Sequence, residues 1–155
     1  MIVKTTSTDH TMKIGERLAR KLKQGDILLL TGDLGAGKTT FTKGIAKGLA
    51  ITDHVTSPSF TIMSQYPGEK VYLYHFDLYR IEDSEEFLEL GLTDFLYGNG
   101  VSVVEWSEKL EEYPDEYLSI DIKLDPEDAE SRLINFTPQG SHFKEILEKL
   151  SQEVF

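Results

Sequence analysis

The chain contains no cysteine, which excludes disulfides and thiolate metal sites. Histidine is scarce as well, and His10, His54, His75 and His142 are scattered without ligand spacing. Any metal is therefore expected to be Mg²⁺ on oxygen ligands rather than zinc. No apolar run approaches the roughly 20 residues that a membrane span needs, and residues 1–13 lack the apolar centre of a secretion signal. The expectation is a cytoplasmic protein without membrane contact. Repeats, linkers and low-complexity tracts are absent too. At 155 residues and 39% hydrophobic composition, the whole of 1–155 is expected to form one domain with a substantial core.

Positive charge is in short supply and unevenly placed. There are 16 Lys and Arg against 27 Asp and Glu, a formal net charge of −11, and the sequence pI is about 4.8. Residues 1–50 hold nine of the bases and four of the acids, leaving seven bases against 23 acids in the remainder. That balance argues against the broad basic face with which proteins hold DNA or RNA. If RNA is involved, another protein is expected to hold it. Much of the acidity simply keeps the surface soluble.

What is present begins with Gly32-Asp33-Leu34-Gly35-Ala36-Gly37-Lys38-Thr39, a fit to G-x-x-x-x-G-K-[ST], the loop that wraps the phosphates of ATP or GTP. Its flanks suit it. The apolar run Ile27-Leu28-Leu29-Leu30 precedes it as a buried strand, and residues 39–49 follow with helical spacing. Glycines let the backbone turn its N–H groups inward, at the positive end of the following helix. Lys38 is expected to reach the β- and γ-phosphate oxygens, and the Thr39 hydroxyl to bind Mg²⁺. Asp33, Leu34, Gly35, Ala36, Gly37 and Thr40 complete the expected ATP contacts.

In chain order, Ile2-Val3-Lys4-Thr5 suits a short edge strand. Ser7, Thr8 or Asp9 can cap a helix over 10–23 with Ile14, Leu18 and Leu22 inward and Gly25 as its stop. In the helix after the loop, Phe41, Ile45 and Leu49 repeat every four residues, and Gly44 and Gly48 bare a second face for close packing on the sheet. The hydroxyl-rich stretch Val55-Thr56-Ser57-Pro58-Ser59-Phe60-Thr61 leads to a strand over 61–65. The equivalent loop in phosphate-loop proteins can sense the γ-phosphate. Pro67-Gly68 marks a hairpin before a strand over 71–77, whose carboxyl end carries Asp77, where open α/β sheets bind ligands.

Asp83-Ser84-Glu85-Glu86 resembles a capping box that opens a short helix, and a second helical piece covers 92–97. Beyond it Val101-Ser102-Val103-Val104 reads as another buried strand, delivering Glu105 and Trp106. An apolar strand ending in a carboxylate, beside the strand of the phosphate loop, presents an oxygen to Mg²⁺. Strands over 118–124 and 132–136, joined by an acidic turn over 125–130, suit an antiparallel hairpin at the sheet edge. Phe143, Ile146, Leu147 and Leu150 mark a terminal helix. The class is α/β: a three-layer P-loop NTPase fold, its central and mostly parallel sheet flanked by helices, with an antiparallel edge hairpin.

Four blocks in this order make the chain resemble the TsaE family, small P-loop ATPases required for bacterial tRNA threonylcarbamoyladenosine synthesis. They are the loop through Thr40-Phe41, then Ser57-Pro58-Ser59-Phe60-Thr61, then His75-Phe76-Asp77-Leu78-Tyr79-Arg80, and finally Val104-Glu105-Trp106. The third block and the glutamate-tryptophan pair are the narrow ones; the loop alone is shared with many ATPases. The resemblance spans nearly all of the catalytic core and weakens after Ser107. Ser59 stands where the family usually has threonine and keeps the hydroxyl.

The resemblance implies ATP hydrolysis in the service of a larger complex. Members of the family associate with TsaD and TsaB, which transfer a threonylcarbamoyl group to the adenosine beside the tRNA anticodon. tRNA is then met indirectly, which agrees with the acidic surface. It implies that Glu105 binds Mg²⁺ with Thr39, that Asp77 acts near the γ-phosphate, and that Thr8 and Arg132 lie near the nucleotide. Lys38, Asp77 and Glu105 are the expected catalytic residues, with Asp77 preferred over Glu105 for orienting water.

Two other classes use the same loop. A small-molecule kinase usually needs a lid and several arginines, whereas only Arg80 and Arg132 follow the loop. A GTPase-like switch would carry Asn-Lys-x-Asp, and no such stretch occurs. An ATP-binding regulator with little turnover stays open. Arg80 reads equally as an internal arginine finger or a plain salt bridge, and Trp106 as a wall of the site or a core filler.

Overall fold

The computed structural model describes residues 1–154. Its elements run β1 (Ile2–Thr5), α1 (Thr8–Ala19), β2 (Ile27–Thr31), α2 (Lys38–Gly48), β3 (Met63–Tyr66), β4 (Tyr72–Asp77) and α3 (Ser84–Glu89). Then come α4 (Thr93–Leu96), β5 (Gly100–Glu105), a 3-10 turn at Ser107–Lys109, β6 (Tyr117–Asp125), β7 (Asp128–Gln139) and α5 (Ser141–Val154). The apolar run before the glycine-rich loop became the central strand β2. β5 and β6 pair with it in parallel, one on each side, and β4 adds in parallel beyond β5. Antiparallel strands close both flanks, giving the order β1-β7-β6-β2-β5-β4-β3. The expected antiparallel hairpin β6–β7 lies toward one edge of the sheet, with β6 paired to the central β2 and β1 pairing outside β7 as the edge strand itself.

Side chains alternate between the two faces of each strand, and both faces are covered. On one, Ile14 and Leu18 of α1, Phe41 and Ile45 of α2 and Phe143 and Leu150 of α5 meet Leu28, Leu30, Val103 and Ile120. On the other, Phe87 of α3 and Leu96 of α4 meet Leu29, Phe76 and Val104. This is the expected three-layer arrangement. It explains why β2 and β5 are apolar without alternation, since strands buried on both faces have no solvent side.

Two local expectations need correction. The first helix begins at Thr8 and ends at Ala19, not at residues 10 and 23. Ser7 caps it by accepting a hydrogen bond from the His10 amide at 3.0 Å. At the other end Lys21 and Leu22 close i→i−3 turns onto Leu18 and Ala19, and the Asp26 carboxylate then accepts from the Lys23 amide.

The second correction concerns Gly44 and Gly48, which pack on α1 and not on the sheet. A methyl group at Gly44 would sit 2.1 Å from the Met12 carbonyl oxygen, and one at Gly48 would sit 2.4 Å from that of Glu16. Gly→Ala ordinarily favours a helix by about 1 kcal/mol. Here the backbone clash wins, and Gly44→Ala is expected to destabilise the fold by about 1–3 kcal/mol. Thermal unfolding should register this as a drop of about 2–4 °C per kcal/mol. An unchanged or higher midpoint would mean that α1 can move away freely.

Candidate functional site

Because β2, β4 and β5 are parallel, their carboxyl ends emerge on one rim, with Thr31, Asp77 and Glu105 side by side. The loop at 32–37 leaves this rim and turns into α2. Gly37, the residue before the helix, has φ 115°, a conformation that a side chain would strain. No side chain caps α2, so its first N–H groups and positive dipole end are available to an anion.

A cavity of about 280 Å³ opens over this helix end. The loop lines it with Leu34, Gly35 and Gly37, the helix with Lys38, Thr39 and Thr40, and the strand ends and adjoining loop with Ser57, Asp77, Glu105 and Trp106. A smaller depression adjoins it at Gly37 and Thr40, where Thr8 of α1 meets Arg132 of β7. Arg132 Nε donates to the Ala36 carbonyl at 2.8 Å, tying β7 to the loop. Ala36 itself is buried. Asp33 lines a neighbouring depression with Glu108 and Asp121, and what it gives the site is its carbonyl.

Lys38 is 5% exposed. Its Nζ donates to the carbonyls of Gly32 and Asp33 and lies 4.3 Å from the centroid of the Trp106 ring. Burial holds its pKa below the ordinary lysine value, and the nearby Glu105 carboxylate opposes that shift. Trp106 reaches this position from a left-handed backbone conformation, φ 58°. Its ring also packs on Tyr79, centroid to centroid 5.0 Å. It is a wall of the cavity and also packs, half-buried, against the core under α3 and α4. Arg80 forms no salt bridge among the described residues; its guanidinium lies 4.1 Å over the exposed Phe60 ring.

The two carboxylates are held differently. The Thr39 hydroxyl donates toward both oxygens of Glu105, at 3.2 and 3.3 Å. Asp77 accepts from the Ser57 hydroxyl at 2.8 Å on one oxygen and from the Tyr79 amide at 3.0 Å on the other. Among the described residues no group of three or more His, Cys, Asp and Glu is placed to hold a metal ion. Thr39 and Glu105 present a hydroxyl and a carboxylate, hard oxygen donors of the type Mg²⁺ takes.

Sequence reasoning gave His75 no role of its own, naming it only as one of four scattered histidines and as the first residue of the third family block. It lies on β4, on the same face as Asp77, and diagonally across from Glu105 in the β4–β5 register. Its Nε2 is hydrogen-bonded to Glu105 Oε2, both side chains are buried, and its Nδ1 has no partner among the described residues. A buried N–H without an acceptor costs about 1–3 kcal/mol, so the ring proton belongs on Nε2. A polar residue two positions before Asp77 in an otherwise apolar strand was the available signal.

The family model described as threonylcarbamoyl adenosine biosynthesis protein TsaE matches residues 5–134. The chain belongs to the TsaE family. The match takes in Thr8, Lys38, Asp77, Glu105 and Arg132 and stops before α5. Two proteins named tRNA threonylcarbamoyladenosine biosynthesis protein TsaE illustrate the likeness. The one from Bacillus subtilis is 46% identical over 150 residues, 96% of this chain and 92% of that one. The one from Treponema pallidum is 40% identical over 119 residues, 76% and 87% of the two chains. The crystal structure of Bacillus subtilis YdiB matches with a TM-score of 0.82 and 41% identity, covering 99% of this chain and 95% of that one. The chain thus has the fold of that structure and belongs to a family named for tRNA threonylcarbamoyladenosine biosynthesis. None of its described helices is long and apolar enough to cross a membrane.

Proposed function

We propose that the chain is a Mg²⁺-dependent ATPase that serves tRNA threonylcarbamoyladenosine modification with TsaD and TsaB, meeting tRNA through that complex. The observation that carries this reading is the convergence of Lys38, Thr39, Asp77 and Glu105 on one cavity at the free N-terminus of α2. Phosphoryl transfer to water needs positioning and charge neutralisation more than covalent chemistry. The loop amides and Lys38 would hold the phosphates, with Lys38 leaving the Gly32 and Asp33 carbonyls to do so. Thr39 and Glu105 would hold the metal, and bound Mg²⁺ would offset charge on the phosphate oxygens. Asp77, on the far side of Glu105 from the loop strand, would orient the attacking water. Thr8 and Arg132 would border the nucleoside part from the adjoining depression.

Each Asp77 oxygen accepts one hydrogen bond, from Ser57 and from the Tyr79 amide, which fixes the carboxylate's orientation and leaves each oxygen a lone pair for water. A partner that shifts the loop carrying Ser57 would re-aim that carboxylate, which joins the ATPase reading to a switching role. The test is phosphate release from ATP by the purified chain, alone and with TsaD and TsaB. Slow release that rises on adding the partners is expected. No response to them, with phosphate passing instead to a small acceptor, would favour a kinase.

A further inference from the structure

We propose that His75 is a positioning residue for Glu105, fixing the carboxylate that faces the divalent cation; this deepens the Mg²⁺–nucleotide reading and rests on it. His75 is not itself a lining residue of the cavity and reaches it only through Glu105. It stands behind Glu105, fully buried, with Nε2 on Oε2. The carboxylate is thereby held between two donors, the His75 ring behind and the Thr39 hydroxyl in front. An unsupported glutamate at this strand end could rotate about its side-chain torsions and present either oxygen, or neither, to a metal.

The placement argues against a packing role. On that face of the sheet His75 lies beside Leu73 and Val103, with Ser64 opposite it on β3 and Asp77 and Glu105 toward the strand ends, and an aliphatic side chain would fill the same space without burying a polar ring. One ring nitrogen is satisfied only by Glu105 and the other by nothing among the described residues. What the ring supplies that an aliphatic group cannot is the N–H to Glu105. Partners of this kind orient metal ligands in many sites, and losing one typically weakens metal affinity by about 10–100-fold.

The experiment is calorimetric titration of a non-hydrolysable ATP analogue, the β,γ-imido compound, into the full chain over a range of Mg²⁺ concentrations and in EDTA. Wild type, His75→Leu and His75→Gln are compared. His75→Leu is expected to raise the Mg²⁺ concentration for half-maximal enhancement about tenfold or more while leaving binding in EDTA unchanged. His75→Gln, which keeps a donor near the position of Nε2, is expected to restore most of the Mg²⁺ response.

Equal Mg²⁺ dependence in wild type and His75→Leu would overturn the proposal. So would parallel losses with and without Mg²⁺ that glutamine does not rescue, since that is the pattern of a purely structural residue. If wild type itself shows no Mg²⁺-enhanced binding, the nucleotide reading fails, and that outcome is distinct from both. Should His75→Leu not fold, ¹⁵N-histidine NMR of the wild-type chain decides. A protonated Nε2 whose resonance moves when Mg²⁺ is added to the analogue complex supports the role, and an unmoved one overturns it.

Discussion

Lys38→Ala is expected to lower kcat/KM for ATP by about 10²–10³-fold or more, as measured by steady-state phosphate release with TsaD and TsaB present. Among the described residues Lys38 is the only charged donor lining the cavity, and charge on the transferring group is what this chemistry must stabilise. Burial also gives its ammonium more effect than a surface lysine has, because the surrounding dielectric is lower. The variant leaves the Gly32 and Asp33 carbonyls without this donor, so thermal unfolding must accompany the kinetics. A near-native melting curve with turnover lost assigns the effect to the phosphates. Retained turnover would remove Lys38 from the mechanism.

Asp77→Asn should produce a loss of comparable size in a different pattern. Turnover is expected to fall about 10²–10⁴-fold, while the affinity for Mg²⁺ and the imido analogue stays close to wild type. Asparagine can still accept from the Tyr79 amide and meet the Ser57 hydroxyl, so the loop geometry survives the change. What disappears is the negative charge needed to orient and polarise water. Glu105→Gln is the contrast: because Glu105 faces Thr39, its first effect should be on the Mg²⁺ dependence of binding. Calorimetry and single-turnover hydrolysis on both variants would separate the two carboxylates, and an exchange of the two patterns would exchange their roles.

The fold was legible wherever local chemistry agreed with the final environment. The apolar run at 27–30, the loop that follows it and the carboxylates at 77 and 105 were read from residue order alone, because strand, turn and helix preferences all pointed the same way. The misreadings came where distant segments decide. Gly44 and Gly48 could have faced the sheet or another helix, and only the approach of the Met12 and Glu16 carbonyls shows that α1 is the neighbour. The first helix stops at Ala19 although its apolar spacing continues to Leu22, since the chain must turn there to enter β2.

By itself, the sequence determined that there is a glycine-rich loop between a buried strand and a helix, and that two buried strands end in acids. These are local facts, carried by spacing and residue type. Only the tertiary structure decided that Asp77 and Glu105 stand side by side, since that requires the parallel β4–β5 register. It alone brought Thr8 and Arg132, far apart in the sequence, to the same depression. It alone set His75 against Glu105, because a hydrogen bond between neighbouring strands depends on register, and register is fixed by how the whole sheet buries its two faces.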